Sequence, residues 1–353
     1  MRVTVLGAGT MGAGIAHAAA TAGHEVALRD VEESYVEDGI ADIADTLSEG
    51  VERGKVEPAE REAALDRITG TTDLAAAADG ADLVIEAVPE DMDLKKDVLG
   101  EAEGHVAADA VLASNTSALS VTELASALDR PERLLGLHFF NPVHLMGLVE
   151  VVVAERTDGA TLETARSFVD SLGKTAVEVR DSPGFASSRL GVALGAEAIR
   201  MYETGVASAA DIDAAMELGY NHPMGPLKLT DVVGLDVRLD VLEHLREELG
   251  ERFRPPQALK RKVRAGKLGR KTGEGFYVWE DGEAVRPADE AVRPADAASP
   301  DDDAGEERTP STPTATPTPR PSPPTASSST ARSATARRAS PRSRSRGRTR
   351  ATP

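Results

Sequence analysis

The chain has 353 residues, enough for two domains of ordinary size, and a formal net charge of −19 from 59 acidic and 40 basic side chains. It contains no cysteine, which excludes disulfides, thiolate zinc sites and a cysteine nucleophile, and no metal site is predicted. The charge is uneven, because residues 308–353 contain ten Arg and no Asp or Glu, which leaves −29 on the rest. We expect so acidic a body to repel nucleic acid and anionic membranes, so neither is predicted as a partner.

Composition also favours a cytoplasmic protein. No apolar run reaches the roughly 18 to 20 residues that a membrane span needs. A strand pattern begins at once after Met1, which leaves no room for a signal peptide in this sequence. The acidic, Lys-poor, Ala-rich body with few aromatic residues predicts adaptation to a high-salt cytoplasm, with ordinary acidic bias as the alternative.

The first half of the chain alternates between strand and helix patterns. A helix of small residues is predicted at 12–22, and a charged helical hairpin at 36–65, broken at 54–55 and by Pro58. Short apolar runs predict strands at 3–6, 25–28, 81–87, 110–113, 133–140, Leu148–Val153 and, at an edge, 177–179. This alternation is typical of an α/β fold with a doubly wound, mostly parallel sheet and helices on both faces.

The character of the sequence changes at residues 181–184, and helix patterns follow. We predict helices at 185–206, 211–218, Leu235–Leu249 and 256–265, with no strand pattern before 276–279. The chain is therefore predicted to contain a sheet domain at 1–183 and an all-α C-terminal domain at 184–281.

Order is predicted to end after Trp279, so residues 282–353 are interpreted as a disordered tail. A heptapeptide occurs twice at 283–296, and from Arg308 the chain consists almost wholly of Thr, Pro, Ser, Ala and Arg. Such a segment cannot bury enough apolar surface to offset its ordering entropy. A basic arm for nucleic acid is one alternative. We favour a shift of reading frame in a GC-rich gene as the origin of the abrupt change.

A glycine-rich motif lies where the first strand meets the first helix. Gly7 permits a tight turn, Gly9 lets the backbone approach a pyrophosphate, and Gly12 lets the helix pack close to the strand. The second strand ends in Asp30, 23 residues after Gly7, where a carboxylate can bind both ribose hydroxyls. Together these features predict a Rossmann-like dinucleotide site. Its turn residues are Gly7, Gly9, Thr10, Met11 and Gly12.

Asp30 also bears on the choice between the two nicotinamide dinucleotides. A carboxylate repels a 2′-phosphate, so NAD is predicted as the cofactor and NADP is less favoured. Arg29 is expected to point to the other face of the sheet. An arginine beside this position can nevertheless accept the phosphate.

His138 ends a strand of the same domain, and Glu150 begins the next strand. A loop between the two strands can bring Glu150 back to His138. A carboxylate there orients an imidazole and stabilises its protonated form, as a histidine acting as a base requires. A histidine at a strand end is more often structural, and spacing alone does not select this one among the seven in the chain.

The chain from about residue 1 to 279 resembles the L-3-hydroxyacyl-CoA dehydrogenase family, most closely its short microbial 3-hydroxybutyryl-CoA type. The resemblance lies in the segments 7–14, 114–117, 138–142, 148–151, 181–185, 224–226 and 269–277. It implies an NAD-dependent oxidoreductase of fatty acid metabolism and β-oxidation, and a homodimer formed through the helical domain.

The resemblance also implies roles for individual residues. His138 matches the catalytic base and Glu150 its partner, while Ser117 matches a serine that touches both the substrate oxygen and the nicotinamide. The implied cofactor contacts beyond the glycine turn and Asp30 are Glu90, Lys95, Asn115, Ser117, Asn141 and Lys271. The implied reaction is the reversible oxidation of a short (3S)-3-hydroxyacyl-CoA to the 3-oxoacyl-CoA.

Some positions depart from the family pattern. Ser188 stands where the family has an asparagine near the reacting groups, and serine is shorter and offers one donor instead of two. The signature for CoA is thin, with Lys55 as a candidate partner of a CoA phosphate or simply a solvated lysine. Two alternatives therefore stay open: a dehydrogenase of the same fold that acts on a hydroxy acid without CoA, and a non-catalytic relative.

Overall fold

The computed structural model describes residues 1–288, and its first part is an eight-stranded sheet. The strands are β1 (Arg2–Leu6), β2 (Glu25–Arg29), β3 (Ile68–Thr71), β4 (Leu83–Glu86), β5 (Val111–Ser114), β6 (Leu134–Phe139), β7 (Leu148–Val153) and β8 (Thr175–Arg180). Their order is β3-β2-β1-β4-β5-β6-β7-β8, and only the β6–β7 pair is antiparallel. The strand order reverses between β1 and β4, so a ligand crevice is expected at their carboxyl ends.

Seven helices connect these strands and cover both faces of the sheet. They are α1 (Thr10–Thr21), α2 (Glu33–Glu52), α3 (Pro58–Asp66), α4 (Leu74–Ala78), α5 (Met92–Glu103), α6 (Val121–Ala125) and α7 (Gly159–Ser171). Successive strand side chains point to opposite faces. Leu83 and Ile85 of β4 accordingly join the apolar cluster that contains Ile15 of α1, whereas Val84 joins the cluster that contains Leu99 of α5. The predicted doubly wound, mostly parallel sheet is confirmed.

Helices make up most of the second part. They are α8 (Ser187–Glu203), α9 (Ala209–Tyr220), α10 (Pro226–Val233), α11 (Leu235–Leu249) and α12 (Gln257–Arg264), followed by a hairpin of β9 (Tyr277–Glu280) and β10 (Glu283–Pro287). Val192 and Ile199 of α8 pack with Leu242 and Leu245 of α11 in a separate apolar core. Asp231, fully buried, accepts hydrogen bonds from the backbone N–H groups of residues 276 and 277 and thereby attaches β9 to α10.

The structure differs from the sequence prediction in several places. β3 and α10 were not predicted, and α4, α5, α6 and α7 were given no bounds, because the pattern there predicted only an alternation of strands and helices. The expectation that order ends after Trp279 is wrong, because β10 pairs with β9 and Ala288 N–H donates to the carbonyl of Phe276 at 2.9 Å. The predictions for the rest of the tail fall on residues 289–353, outside the described part. Within 1–288, no helix is long and apolar enough to cross a membrane.

Candidate active site

The glycine-rich turn joins β1 to α1 at the crevice between β1 and β4. Gly7 has a φ of +105°, a conformation that favours glycine. A Cβ at Gly12 would lie 1.8 Å from the carbonyl oxygen of Gly7, so no larger residue fits there. Apart from Gly9 and its two chain neighbours, no described residue has a heavy atom within 4 Å of a Cβ built on Gly9. The turn thus presents backbone amides and the start of α1 to open space, as a pyrophosphate site requires.

Asp30 follows β2 and lines a cavity of about 770 Å³ together with the glycine turn. The backbone N–H of Ala8 donates to Asp30 Oδ2 at 2.7 Å, and that of Val31 donates to Oδ1 at 2.7 Å. These two bonds orient the carboxylate, and each oxygen keeps a lone pair for a further donor. The residues present therefore fit the adenosine half of a dinucleotide, whose ribose hydroxyls Asp30 would bind.

Arg29 lines the same cavity as Asp30. Its Nε donates to the carbonyl oxygen of Thr72, in the loop after β3, at 3.2 Å. Since neither that loop nor β3 was predicted, this contact was not foreseen.

Lys95 is almost fully buried, at 1% exposure, beside the carboxyl end of β4. Its Nζ donates to Glu86 Oε1 at 2.7 Å and to the carbonyl of Val88 at 3.0 Å, and it lies 3.2 Å from Glu90 Oε2. Three oxygens thus match the three donors of the ammonium. Burial raises the pKa of Glu86, and Lys95 opposes that rise. Lys95 therefore holds the carboxylates of Glu86 and Glu90 in place at the carboxyl end of β4.

Glu90 organises the loop that follows β5. Its Oε1 accepts hydrogen bonds from Thr116 Oγ1 at 2.6 Å, from Ser117 N–H at 2.9 Å and from Ser117 Oγ at 3.3 Å. Burial works against ionisation, but Lys95 and these hydrogen bonds hold the pKa of Glu90 below its ordinary value. Ser117 remains exposed at the surface of this loop. The structure therefore brings together Glu90, Lys95 and Ser117.

Asn115 links this loop to the strand that carries His138. Its Oδ1 accepts a hydrogen bond from the backbone N–H of Phe139 at 2.9 Å, and its own N–H donates to the carbonyl of Glu86 at 2.8 Å. The Asn115 side chain is therefore fixed at the carboxyl ends of β4, β5 and β6 through Phe139, the residue that follows His138.

His138 and Glu150 lie opposite each other across the antiparallel strands β6 and β7. Both are buried, at 5% and 1% exposure, and His138 Nδ1 lies 2.8 Å from Glu150 Oε2. The rings of Phe140 and Phe185 flank the imidazole, with centroids 4.5 and 5.6 Å away. The carboxylate thus orients the ring through Nδ1, which leaves Nε2 as the nitrogen for exchanging a proton.

The start of α8 supplies further donors to Glu150. Its Oε1 accepts hydrogen bonds from Ala186 N–H at 3.1 Å and Ser187 N–H at 2.7 Å, and its Oε2 accepts one from Ser187 Oγ at 2.8 Å. Burial disfavours the charged carboxylate, but His138 and Ser187 outweigh it and hold the pKa of Glu150 below its ordinary value. A charged carboxylate is therefore available to stabilise an imidazolium at neutral pH.

A second cavity of about 310 Å³ adjoins the first, because Thr10 and Asp42 line both. Asn141, the residue that the resemblance assigns to the cofactor, lines this second cavity together with His144 and His17. The turn after β6 therefore meets the glycine-rich turn at the boundary of the two cavities.

Three other predicted site residues lie apart from these cavities. Lys271 pairs with Asp236 at the start of α11, with its Nζ 2.6 Å from Oδ2. Lys55 is exposed in the turn between α2 and α3, and Ser188 is half-buried in the first turn of α8. Among residues 1–288 no group of three or more His, Asp and Glu side chains is arranged to hold a metal ion.

Three contributing residues were missed from the sequence. Glu86 and Ser114 end β4 and β5, and Ser114 Oγ donates to Glu86 Oε2 at 2.6 Å. Polar residues at the ends of neighbouring apolar strands are a signal that could have found them. Ser187 is the third, and its signal is its place in the first turn of α8, where backbone N–H groups and hydroxyls are available to bind a carboxylate.

Comparison with known proteins identifies the family. The model of the 3-hydroxyacyl-CoA dehydrogenase NAD binding domain matches residues 2–182, and that of the 3-hydroxyacyl-CoA dehydrogenase C-terminal domain matches residues 184–279. The chain belongs to the 3-hydroxyacyl-CoA dehydrogenase family. It is therefore an oxidoreductase with an NAD-binding domain, and the predictions of enzyme class and cofactor are confirmed.

The match with individual relatives covers nearly the whole length of each relative. The 3-hydroxybutyryl-CoA dehydrogenase of Clostridioides difficile is 42% identical over 278 residues, which cover 78% of this chain and 99% of the relative. The mitochondrial hydroxyacyl-coenzyme A dehydrogenase of Sus scrofa is 41% identical over 79% of this chain and 91% of its own. The crystal structure of (S)-3-hydroxybutyryl-CoA dehydrogenase from Ralstonia eutropha superposes with a TM-score of 0.77 at 40% identity, covering 79% and 99%.

Proposed function

We propose that this 3-hydroxyacyl-CoA dehydrogenase oxidises short (3S)-3-hydroxyacyl-CoA thioesters, such as 3-hydroxybutyryl-CoA, with His138 as the general base and Glu150 as its partner. The observation that carries the proposal is the buried contact of 2.8 Å between His138 Nδ1 and Glu150 Oε2. The names of the relatives support the substrate class. A buried histidine oriented by a charged carboxylate is the arrangement that proton transfer to and from a hydroxyl requires.

The chemistry follows from the free nitrogen of the imidazole. His138 Nε2 takes the proton of the C3 hydroxyl. NAD, held by the glycine turn and Asp30, would supply the acceptor for the hydrogen on C3, which leaves as a hydride. Glu150 stabilises the imidazolium that forms, and Ser187 keeps that carboxylate ionised and in place. In the reverse direction the imidazolium donates its proton to the carbonyl oxygen of the 3-oxoacyl group.

The same proposal gives a role to each remaining predicted residue. We assign Ser117 to the substrate oxygen and Ser188 to the reacting groups, and we place the nicotinamide side near Asn115 and Asn141. The 1–183 part binds the cofactor, and the 184–281 part completes the substrate site. Lys55 for a CoA phosphate and Lys271 for the cofactor remain assignments by resemblance.

His138→Gln tests the catalytic role directly. We expect kcat for 3-hydroxybutyryl-CoA to fall by about 10²- to 10⁴-fold, the range for losing a general base, while the Kd for NADH changes little. His105→Gln is the matched control, because His105 is exposed in a turn. A His138→Gln enzyme with unchanged kcat would show that another group takes the proton. Turnover of free hydroxy acids, and not of the CoA thioester, would favour the alternative dehydrogenase.

We propose that the protein is a homodimer formed through the helical part. The supporting observation is a set of exposed apolar side chains there, since exposed apolar surface commonly marks a protein–protein interface. They include Leu218 at 83%, Tyr220 at 74%, Leu190 at 71% and Val206 at 65% exposure. Light scattering should give twice the chain mass, and Leu218→Glu should shift the protein towards monomer. A wild-type monomer at micromolar concentration would refute the dimer.

We also propose that the enzyme works in a salty cytoplasm. The net charge of −29 outside residues 308–353 supports this, because so anionic a surface repels itself unless cations screen it. Activity and unfolding temperature should both rise with KCl from about 0.1 M to several molar. Full stability at low salt would leave ordinary acidic bias as the explanation.

A further inference from the structure

The buried lysine of α5 lies between two carboxylates and can balance the charge of only one. Lys95 Nζ lies 2.7 Å from Glu86 Oε1 and 3.2 Å from Glu90 Oε2. Glu86 is fully buried, and its carboxylate accepts hydrogen bonds from Lys95 Nζ, Val88 N–H and Ser114 Oγ. All three partners are donors, which fits the ionised form of the acid. Two carboxylates and one ammonium leave the cluster of residues 86, 90 and 95 with a net charge of −1.

This cluster borders the cavity that fits the dinucleotide. The segment 87–89, which joins Glu86 to Glu90, lines the cavity together with the glycine turn, and so does Leu94, the neighbour of Lys95. Glu86 itself does not line the cavity, because it is fully buried behind that segment. Its charge therefore acts on a bound molecule through the cavity wall and without contact.

The fold determines which half of the dinucleotide faces the cluster. A dinucleotide lies across the carboxyl ends of the strands, with its two halves on opposite sides of the point where the strand order reverses. Asp30, which would bind the adenosine ribose, follows β2. The nicotinamide half therefore belongs on the other side, towards β4 and β5, where Glu86 and Ser114 are paired last residues. The nicotinamide ring is positively charged when oxidised and neutral when reduced, and the rest of the dinucleotide is the same in both forms.

We propose that the negative charge which Glu86 adds to this cluster raises the affinity of the enzyme for oxidised NAD relative to NADH. Asp30 and Asp38 also line the cavity, but on the side of the adenosine, where the two forms do not differ. Salt screens exposed carboxylates strongly and a buried charge much less, so the effect of Glu86 persists at high KCl. The inference needs only the binding of NAD and does not depend on the role of His138.

Dissociation constants of the two redox forms, measured without substrate, test the proposal. The fluorescence of the nicotinamide gives Kd for NADH, and competition against NADH gives Kd for NAD. Glu86→Gln keeps the shape of the side chain and removes its charge. The ratio of Kd for NAD to Kd for NADH should rise about 5- to 20-fold, as expected for one charge that acts through protein without contact. A merely structural defect would weaken both forms alike and leave the ratio unchanged.

A double variant separates charge from packing. Glu86→Gln/Lys95→Met removes both charges of the ion pair and leaves Glu90 with the same net charge that the cluster has in the wild type. The ratio should therefore return nearly to the wild-type value, although the buried pair is lost. Glu103→Gln is the matched control, because Glu103 ends the same helix and also forms a largely buried ion pair, 3.0 Å from Arg133. Its ratio should equal that of the wild type.

Three results would overturn the proposal. An unchanged ratio in Glu86→Gln would show that the dinucleotide does not experience the charge of Glu86. A shifted ratio that persists in the double variant would assign the effect to altered packing. An equal shift in Glu103→Gln would assign it to the acidity of the whole protein. Because no substrate is present, none of these outcomes depends on which thioester the enzyme oxidises.

Discussion

Glu150 Oε2 is shared by two donors, since His138 Nδ1 lies 2.8 Å from it and Ser187 Oγ donates to it at 2.8 Å. The helical part of the chain therefore takes part in orienting His138, the residue that we propose as the base. Ser187→Ala removes one of these donors, and the Ser187 N–H bond to Oε1 remains. We expect kcat to fall about 3- to 10-fold, as for a lost positioning hydrogen bond, with little change in the KM for NAD.

The pH profile separates positioning from a general loss of structure. Without the hydroxyl, the pKa of Glu150 rises from its depressed value, so the acidic limb of the kcat/KM profile should move to higher pH. Ser126→Ala, at an exposed position of the sheet domain, serves as the control. If kcat falls while the acidic limb stays in place, Ser187 does not act through Glu150.

Lys95 is expected to contribute mainly to stability. Lys95→Met leaves Glu86, which is fully buried, without its cation. Breaking a buried ion pair in this way should lower the free energy of unfolding by about 3 kcal/mol. The double variant Lys95→Met/Glu86→Gln should regain more than half of that loss, measured by urea unfolding. If the double variant is no more stable than Lys95→Met, the lysine does not act through this pair.

The sequence predicted those parts of the site whose residues have specific chemical signatures. The glycine turn and Asp30 were found because only glycine tolerates that turn and because the carboxylate ends a strand at a fixed distance from it. His138 and Glu150 required the family resemblance, since nothing in the spacing shows that β6 and β7 are antiparallel. Their pairing depends on register, which the sequence pattern does not specify.

The missed elements have a common physical reason. α10 has eight residues and starts with Pro226, a favourable first helical residue, yet its stability comes from packing on α8 and α9. β10 lies within the first copy of the heptapeptide. Its antiparallel pairing with β9 makes this segment a strand, which its composition did not indicate. In both cases tertiary contacts decide the structure, and a local pattern cannot show them.

Asp30 is expected to determine the choice of dinucleotide. Asp30→Ser removes the charge that repels a 2′-phosphate and leaves Arg29 in the same cavity as a cation that can bind it. The ratio of kcat/KM for NADP to that for NAD should rise at least 10-fold. Asp38→Ser removes a charge from another part of the cavity lining and is the matched control. An equal rise in Asp38→Ser would mean that the preference between the two dinucleotides depends on the total charge of the cavity and not on Asp30 in particular.

Asp231 is expected to hold the C-terminal hairpin to the helical core. It is fully buried and accepts hydrogen bonds from Phe276 N–H at 2.8 Å, Tyr277 N–H at 2.8 Å and Trp279 Nε1 at 2.9 Å. In Asp231→Asn an amide group replaces one acceptor, so at least one buried donor loses its partner. The free energy of unfolding should fall by about 2–3 kcal/mol. Asp240→Asn, exposed on α11, should change it by less than about 0.5 kcal/mol.

His17 makes stability depend on pH. Its ring stacks on that of His144 with centroids 5.4 Å apart, and burial, followed by the charges of His144 and Lys174, lowers the pKa of His17 to about 4. In the unfolded chain the pKa is near 6.5, so between these values the unfolded state binds more protons. The contribution is therefore complete above pH 6.5 and is lost as the pH falls towards 4.

His17→Gln should remove this dependence, because glutamine fills a similar volume and does not titrate. From pH 7.5 to 5, the wild-type free energy of unfolding should fall by about 1–2 kcal/mol more than that of the variant, measured by urea unfolding at fixed salt. The many surface carboxylates titrate alike in both proteins and cancel in the comparison. His105→Gln should follow the wild type, since its histidine is exposed. Parallel curves for wild type and His17→Gln would mean that the folded protein accommodates a charged His17 at no cost.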